Sequence, residues 1–172
     1  MKIVNWKLSI VFGALLLAGL FLWPIFKKPA LELEPASVPV SQIYHDPVYN
    51  FSLELPPGFS WQTYDEGEGG ATTAFHDEKR EHSFQVAVSP FDGEPVLTRE
   101  RILQDLPSTV IKDPKEVVIG DNQHALLFES EDPAIGKTRE VWFINNGYLY
   151  AITTYARLDA WLAGIMKTWK ML

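Results

Sequence analysis

The sequence predicts an α+β protein in which helices cover both faces of an antiparallel sheet, preceded by one N-terminal transmembrane helix. Three observations predict this architecture. Residues 8–26 form an apolar run without a charge. After residue 48, apolar and polar residues alternate with the two-residue period of strands. An Asn-Gly pair joins two strands that are apolar on both faces, and such strands need cover on each side of the sheet.

The apolar run has the length of a membrane span. It reads LSIVFGALLLAGLFLWPIF, between Lys7 and the pair Lys27-Lys28. At about 1.5 Å per residue, a helix over this run is roughly 28 Å long, close to the ~30 Å hydrocarbon core of a bilayer. We therefore expect residues 1–28 to be a membrane anchor that contacts the lipid bilayer through residues 8–26.

We expect this anchor to stay uncleaved. The run exceeds the apolar region of about 7–15 residues in a secretory signal, and no small-x-small cleavage site follows it. Residues 29–172 carry 11 Lys and Arg against 22 Asp and Glu, and 11 − 22 gives −11. A short basic N-terminus inside and an acidic domain outside is the usual single-span topology. The expected location is the cell membrane, with the C-terminal domain extracytoplasmic.

Composition also excludes classes of partner and chemistry. An acidic domain repels phosphate backbones, so we expect no nucleic-acid partner. The chain has no cysteine, which excludes disulfides, thiol catalysis and lipid modification of a cysteine.

Proline marks a spacer between the anchor and the domain. Residues 29–47, PALELEPASVPVSQIYHDP, are rich in proline, which favours extended polyproline II over helix or sheet. We expect a linker over residues 29–47 and one globular domain over residues 48–172.

The first half of the domain predicts four strands. Tyr49–Leu55 alternates apolar and polar residues, and the following Pro56-Pro57-Gly58 ends the strand because proline cannot donate to a sheet ladder. Residues 65–70, DEGEGG, predict a flexible turn. The other strands are predicted over Phe59–Tyr64, Ala71–His76 and Ser83–Val88, the last two as a hairpin.

A helix and four more strands follow. Thr98 is a suitable N-cap for a helix that Pro107 stops. Strands are predicted over Glu116–Ile119, His124–Glu129, Arg139–Asn145 and Tyr148–Tyr155. Asn146-Gly147 predicts a tight hairpin between the last two, since both turn positions need positive φ. That turn pairs residue 145 with 148, 143 with 150 and 141 with 152.

An amphipathic C-terminal helix is predicted to cover the sheet. Its apolar residues recur at helical spacing: Leu158, Trp161, Leu162, Ile165 and Trp169. Each buried aromatic side chain removes on the order of 150–250 Å² of surface from water, so this helix is expected to contribute strongly to the stability of the fold. The last residues are predicted to continue as a short extended tail.

Three stretches resemble the PsbP-like superfamily. They are the opening YNFSLELPPGF, the hairpin INNGYLYAITTYA and the close KTWKML, in which Thr168-Trp169-Lys170 is similar to the family's terminal element. The resemblance covers about residues 44–172 and implies an antiparallel sheet with helices on both sides. It also implies a binding or assembly module, as in the extrinsic photosystem II subunits and bacterial envelope proteins of this superfamily. The anchor and the spacer favour the bacterial envelope type.

Candidate site residues are few. His76, Asp77 and His82 flank the tip of the predicted hairpin and are weak candidates for a metal site. The resemblance adds to this hypothesis, because some members of the family bind metal ions through His and carboxylates. An even loop would pair Asp77 with His82 and point His76 to the opposite face, whereas an odd loop would bring both histidines together. His45-Asp46 is expected to be a solvated pair, and His124 a half-buried structural residue.

The sequence therefore predicts no catalytic residue, no cofactor and no firm metal site. The expected function is a membrane-anchored extracytoplasmic binding or assembly module with an envelope protein as partner. The alternatives are a small-molecule or metal-ion sensor domain and, less favoured, an envelope enzyme.

Overall fold

The computed structural model describes residues 41–172, which form two antiparallel sheets and two α-helices. The strands are β1 Gln42–Asp46, β2 Phe51–Leu55, β3 Phe59–Gly67, β4 Gly70–Asp77, β5 Ser83–Pro90, β6 Lys112–Ile119, β7 Gln123–Asp132, β8 Gly136–Asn145, β9 Tyr148–Tyr155 and β10 Lys170–Met171. Helix α1 spans Arg99–Asp105, and α2 spans Asp159–Met166 after a 3₁₀ turn at Ala156–Leu158.

The large sheet has seven strands in the order β3-β4-β5-β9-β8-β7-β6. The predicted hairpin is its centre, and its register is confirmed: Asn145 pairs with Tyr148, and Phe143 with Tyr150. Both turn residues, Asn146 and Gly147, have the positive φ that a two-residue hairpin turn requires. The two faces of this hairpin belong to two different hydrophobic clusters. The predicted cover is complete on the inner face and partial on the outer face, where Ala151 stays half-buried.

The inner face of the large sheet packs against the small sheet β1-β2-β10 and against α2. Phe51 of β2 lies at the centre of this core, with its ring stacked on Trp169 at a centroid distance of 4.5 Å. The Tyr150 hydroxyl, on β9, donates to the Tyr49 carbonyl at 2.9 Å. Burial raises the pKa of Tyr150 to about 12, so this hydroxyl stays a donor at any ordinary pH.

The outer face of the large sheet is covered only in part. Helix α1 and the segments around it close a second, smaller cluster over β7 and β8, whose buried members are Phe91, Ile102, Leu126, Phe128, Trp142 and Leu149. The predicted N-cap is confirmed, because the Thr98 side chain accepts a hydrogen bond from the Arg101 amide at 3.2 Å. The helix reaches no further than Asp105, which leaves the β4–β5 half of this face without a helix.

The observed fold is thus an antiparallel α+β sandwich, as predicted. One layer differs from the prediction: the three-stranded sheet shares the inner face with α2, where a helix alone was expected.

The predicted linker, residues 29–47, contains a strand. β1 pairs with β2 along its whole length, from Gln42 opposite Leu55 to Asp46 opposite Phe51. Proline density suggested an extended spacer, but the alternation of Tyr44 and Asp46 places both side chains inward, and both are buried. The folded domain therefore includes residues 42–47, ahead of the predicted start at residue 48. Residues 1–40, with the predicted anchor and most of the linker, lie outside the described residues.

The C-terminal helix ends earlier than its pattern predicted. It stops at Met166, and Trp169 follows outside the helix, although it is fully buried as expected. A turn over residues 166–169 changes the direction of the chain, so that Lys170 and Met171 pair with β2. The predicted extended tail is confirmed by this pairing.

The predicted flexible turn over residues 65–70 is a tight turn between long strands. β3 continues to Gly67 and β4 begins at Gly70, so only Glu68 and Gly69 connect them. Both connecting residues have positive φ, which matches the right-handed twist of a hairpin. Within residues 41–172, no helix is both long enough and apolar enough to cross a membrane.

Candidate functional site

The part of the outer face that α1 leaves open forms a groove along β5 and β9. Ala87 and Ala151 face each other across these strands, and both are half-buried. They and Trp142 line two neighbouring cavities, one of about 390 Å³ and one of about 110 Å³. Because the same three residues line both cavities, the cavities are two parts of one surface feature, which we call the outer groove.

A buried carboxylate lies in the floor of the outer groove. Glu140 of β8 is only 6% exposed and lines the larger cavity. Its Oε1 accepts a hydrogen bond from the Thr138 hydroxyl at 2.6 Å. Its Oε2 accepts from the Trp142 indole N–H at 3.0 Å and from the Thr153 hydroxyl at 2.7 Å. Each of these three donors is electrically neutral.

The surroundings favour the protonated form of Glu140. Removal from water raises the pKa of this carboxyl, and the negative charge of Asp132 adds to the rise. The three hydrogen bonds act in the opposite direction without cancelling the effect of burial. A carboxyl of raised pKa in a cavity is a typical mark of a functional site, although structural networks also produce it.

The rim of the outer groove is acidic. Glu66 and Glu68 line the smaller cavity, and Glu131 and Asp132 line the larger one. The residues that line the two cavities include no Lys, Arg or His. The Glu131 carboxylate pairs with the Lys112 ammonium at 3.3 Å, so Asp132 carries the remaining negative charge at that end. The groove therefore combines acidic ends with a floor that consists of apolar side chains and the buried Glu140 carboxyl.

The structure separates the two predicted metal-site histidines. His76 pairs with Ser83, so the loop between β4 and β5 is even, and Asp77 lies opposite His82. The His82 Nδ1 is 3.0 Å from Asp77 Oδ2, whereas the His76 Nδ1 lies 3.0 Å from the Asp77 carbonyl oxygen. Partial burial would raise the pKa of Asp77, but the hydrogen bonds from the His82 side chain and from the Glu81 and His82 amides lower it. Among residues 41–172, no group of three or more His, Cys, Asp or Glu converges as metal ligands would.

The other histidines are exposed. His45 points outward on β1, as expected of a solvated pair, but the expectation is wrong for Asp46, which is buried. Asp46 organises the following turn by accepting from the Val48 and Tyr49 amides, each at 2.9 Å. His124 is also exposed, where a half-buried position was expected. It lies opposite Val118 of the edge strand β6, which is itself 57% exposed, so this pair is at an uncovered margin of the sheet.

Glu140 was not among the residues predicted from the sequence, although the predicted register of the hairpin contained the information needed to find it. The predicted register already placed residues 141 and 152 opposite each other, so Glu140 had to lie opposite Thr153. It also had to lie on the face of Trp142, because residues two apart on a strand share a face. A carboxylate on a face that needs cover is a candidate for burial.

Comparisons with known proteins show the fold. No family model matches the chain, and no curated protein matches it. Among solved structures, the solution structure of cyanobacterial PsbP (CyanoP) from Synechocystis sp. PCC 6803 is similar, with a TM-score of 0.54 and 13% sequence identity. The match covers 84% of this chain and 100% of that chain. The chain therefore has a PsbP-like fold, in agreement with the resemblance of its sequence motifs.

Proposed function

We propose that this chain is a non-catalytic binding or assembly module, anchored in the cell membrane with its domain on the extracytoplasmic side. The observation that carries the proposal is the outer groove. A sheet face normally packs against another layer, yet here the floor at Ala87 and Ala151 stays half-buried beside a cavity of about 390 Å³. A segment of an envelope protein that lies in this groove would complete the missing layer.

The position of the outer groove supports the proposal. The N-terminal end of the domain enters through β1 of the small sheet, which packs on the inner face of the large sheet. The outer groove is on the opposite face. A tether attached through residues 1–40 would leave this face accessible to a partner.

Two further observations support the location and the class of function. The uncharged run of residues 8–26 has the length of a span, and the domain after it is strongly acidic. One solved structure that the chain resembles is that of a cyanobacterial PsbP protein. The role in assembly is proposed for this chain by analogy of fold. The outer groove is the surface at which the partner would bind.

Site-specific photocrosslinking tests the groove. A photoreactive amino acid is placed at Ala87 in the full-length chain, and the matched control carries it at Lys79, an exposed residue of the β4–β5 tip. Irradiation of intact cells is expected to give a discrete adduct with an envelope protein from position 87 and none from position 79. Equal adducts from both positions, or none from position 87, would overturn the proposal.

Membrane location is tested separately. The full-length chain is expected to resist carbonate extraction from membranes, and a variant without residues 1–28 is expected to be released. In spheroplasts, added protease should remove the domain from the full-length chain. Protection of the domain would contradict an extracytoplasmic position.

A small-molecule sensor is the second candidate, since the larger cavity falls in the range of about 300–1,000 Å³ typical of ligand sites and contains the buried Glu140 carboxyl. Thermal-shift screening of the full-length chain against metabolites and divalent ions distinguishes this function. A selective ligand would raise the melting temperature by mass action, and Glu140→Gln would weaken that rise.

A further inference from the structure

We propose that the occupant of the outer groove is an extended, positively charged segment of a partner protein. This inference rests on the proposed binding function and identifies the chemistry of the partner.

The shape of the groove favours an extended chain. Its lining follows β5 from Gln85 to Pro90 and β9 from Leu149 to Thr153. At a rise of about 3.3 Å per residue, the β5 part alone is roughly 16 Å long, the length of about five extended residues. A compact ligand would fill one cavity, whereas an extended segment contacts both.

The negative charge of the groove favours a positively charged segment. Glu66 and Glu68 lie at one end, and Asp132 lies at the other, beside Glu131, whose carboxylate is paired with Lys112 at 3.3 Å. Charged groups across an interface are arranged to be complementary, and like charges are costly. Two separated negative ends fit a chain with basic residues spaced along it.

The floor of the groove suits the side chains of such a segment. Lys and Arg bury their aliphatic stems on apolar surface while their charged groups remain in water. Ala87, Ala151 and the Trp142 ring provide apolar floor between the acidic ends. A basic side chain lying on this floor can therefore reach a rim carboxylate without burying its charge.

The test uses the full-length chain in non-ionic detergent and two fluorescent ten-residue peptides. One peptide alternates Lys with Val, and the other alternates Glu with Val. Anisotropy is expected to show saturable binding of the basic peptide only, with affinity falling about tenfold or more between 50 and 300 mM salt because the rim charges are exposed to screening. Binding of the acidic peptide with equal affinity would overturn the inference.

Matched variants locate the binding. Glu66→Gln with Asp132→Asn removes one charge from each end of the groove and keeps an acceptor for the two backbone amides that Asp132 binds. Glu78→Gln with Glu81→Gln removes two exposed charges from the β4–β5 tip. The rim pair is expected to weaken binding of the basic peptide about tenfold, whereas the tip pair changes it less than about twofold. Equal losses in both pairs would mean attraction by net charge alone and would overturn the inference.

A third variant separates shape from charge. Ala87→Leu fills the floor of the groove and is expected to abolish peptide binding without a change of charge. Its melting temperature confirms that the fold is intact. Saturable binding of spermidine without binding of the basic peptide would assign the groove to a small polyamine and overturn the inference.

The two proposals fail separately. If position 87 gives a specific adduct with an envelope protein but the basic peptide does not bind, the groove binds a partner of other chemistry. If position 87 gives no adduct, the proposed function fails, whatever the peptide does.

Discussion

The Trp142 indole N–H donates a hydrogen bond to the Glu140 carboxylate at 3.0 Å, and both residues are buried on the same face of β8. The indole therefore has two roles. Its N–H binds a buried carboxyl group, and its ring is part of both the outer hydrophobic cluster and the floor of the outer groove. A change at Glu140 should consequently alter the stability of the domain and the shape of the groove together.

Replacement of Glu140 by Gln should change how stability depends on pH. Burial raises the pKa of Glu140 above its ordinary value of 4.5 in the folded state. From pH 4.5 up to the folded pKa, the folded state therefore holds more protons than the unfolded state, and stability falls as pH rises. Gln carries no such proton, so urea unfolding should show Glu140→Gln gaining stability relative to the native chain between pH 4.5 and neutral pH. A difference that stays constant with pH would contradict the raised pKa.

Replacement of Glu140 by Leu should destabilise the domain at every pH. Leu removes the acceptor of the Trp142 N–H and of the Thr138 and Thr153 hydroxyls. A buried donor without a partner costs about 1–3 kcal/mol, so the free energy of unfolding should fall by at least this amount. Glu140→Gln is the control, because its amide retains an acceptor for the indole. Equal stability of the two variants would contradict the role of the hydrogen bonds.

Gly120→Ala should be more damaging than another glycine replacement at positive φ. Gly120 has a φ of 52°, and a Cβ there would overlap the Trp169 carbonyl oxygen. Gly136 has a φ of 80° with open space around the same position. Gly136→Ala should cost roughly 1–2 kcal/mol from backbone strain alone, and Gly120→Ala should cost more, because the chain after α2 must also move. Thermal unfolding of both variants measures this, and a smaller loss for Gly120→Ala would be inconsistent with the close approach.

Trp169→Ala should remove about 3–5 kcal/mol of stability, the usual range for a buried aromatic residue. The Trp169 ring stacks on Phe51 with an interplanar angle of 8° and meets Phe143 edge-on at 5.5 Å. Trp61→Ala is the matched control, since Trp61 is 44% exposed on the edge strand β3. Its loss should be less than half as large. Comparable losses of unfolding free energy in chemical denaturation would contradict a larger contribution of Trp169 to stability.

A chain that begins at residue 41 should fold, whereas one that begins at residue 48 should be strongly destabilised. The shorter chain lacks β1 and with it Tyr44, whose ring meets Phe75 edge-on at 4.9 Å. It also lacks Asp46, whose carboxylate binds two backbone amides of the following turn. Circular dichroism melting compares the two chains. Equal melting temperatures would assign β1 to the linker after all.

Local signals explain which parts of the fold were predictable. The Asn146-Gly147 turn and the alternation on both sides of it determine a register without any reference to the rest of the chain. The cap at Thr98 is equally local. The end of α2 was not predictable in this way, because Trp169 keeps the helical spacing while packing against Phe51 from outside the helix. The partner of that indole is more than a hundred positions away in the chain.

The outer groove was beyond sequence reasoning for a different reason. Its existence depends on how much of the sheet α1 covers, and the seven residues of that helix do not reveal their position on the sheet. β1 was missed because proline composition outweighed the short alternation of Tyr44 and Asp46. Glu140 alone among the residues of the site could have been found, from the register of its hairpin.

Both ends of the domain meet in the small sheet, since β2 pairs with β1 on one side and with β10 on the other. The structure shows no backbone pairing between these three strands and the seven strands of the large sheet. A mechanical load that enters through the leading end would therefore stretch the three-stranded unit first. The strands that line the groove would keep their alignment under such a pull, because no ladder hydrogen bond connects them to the strands that bear the load.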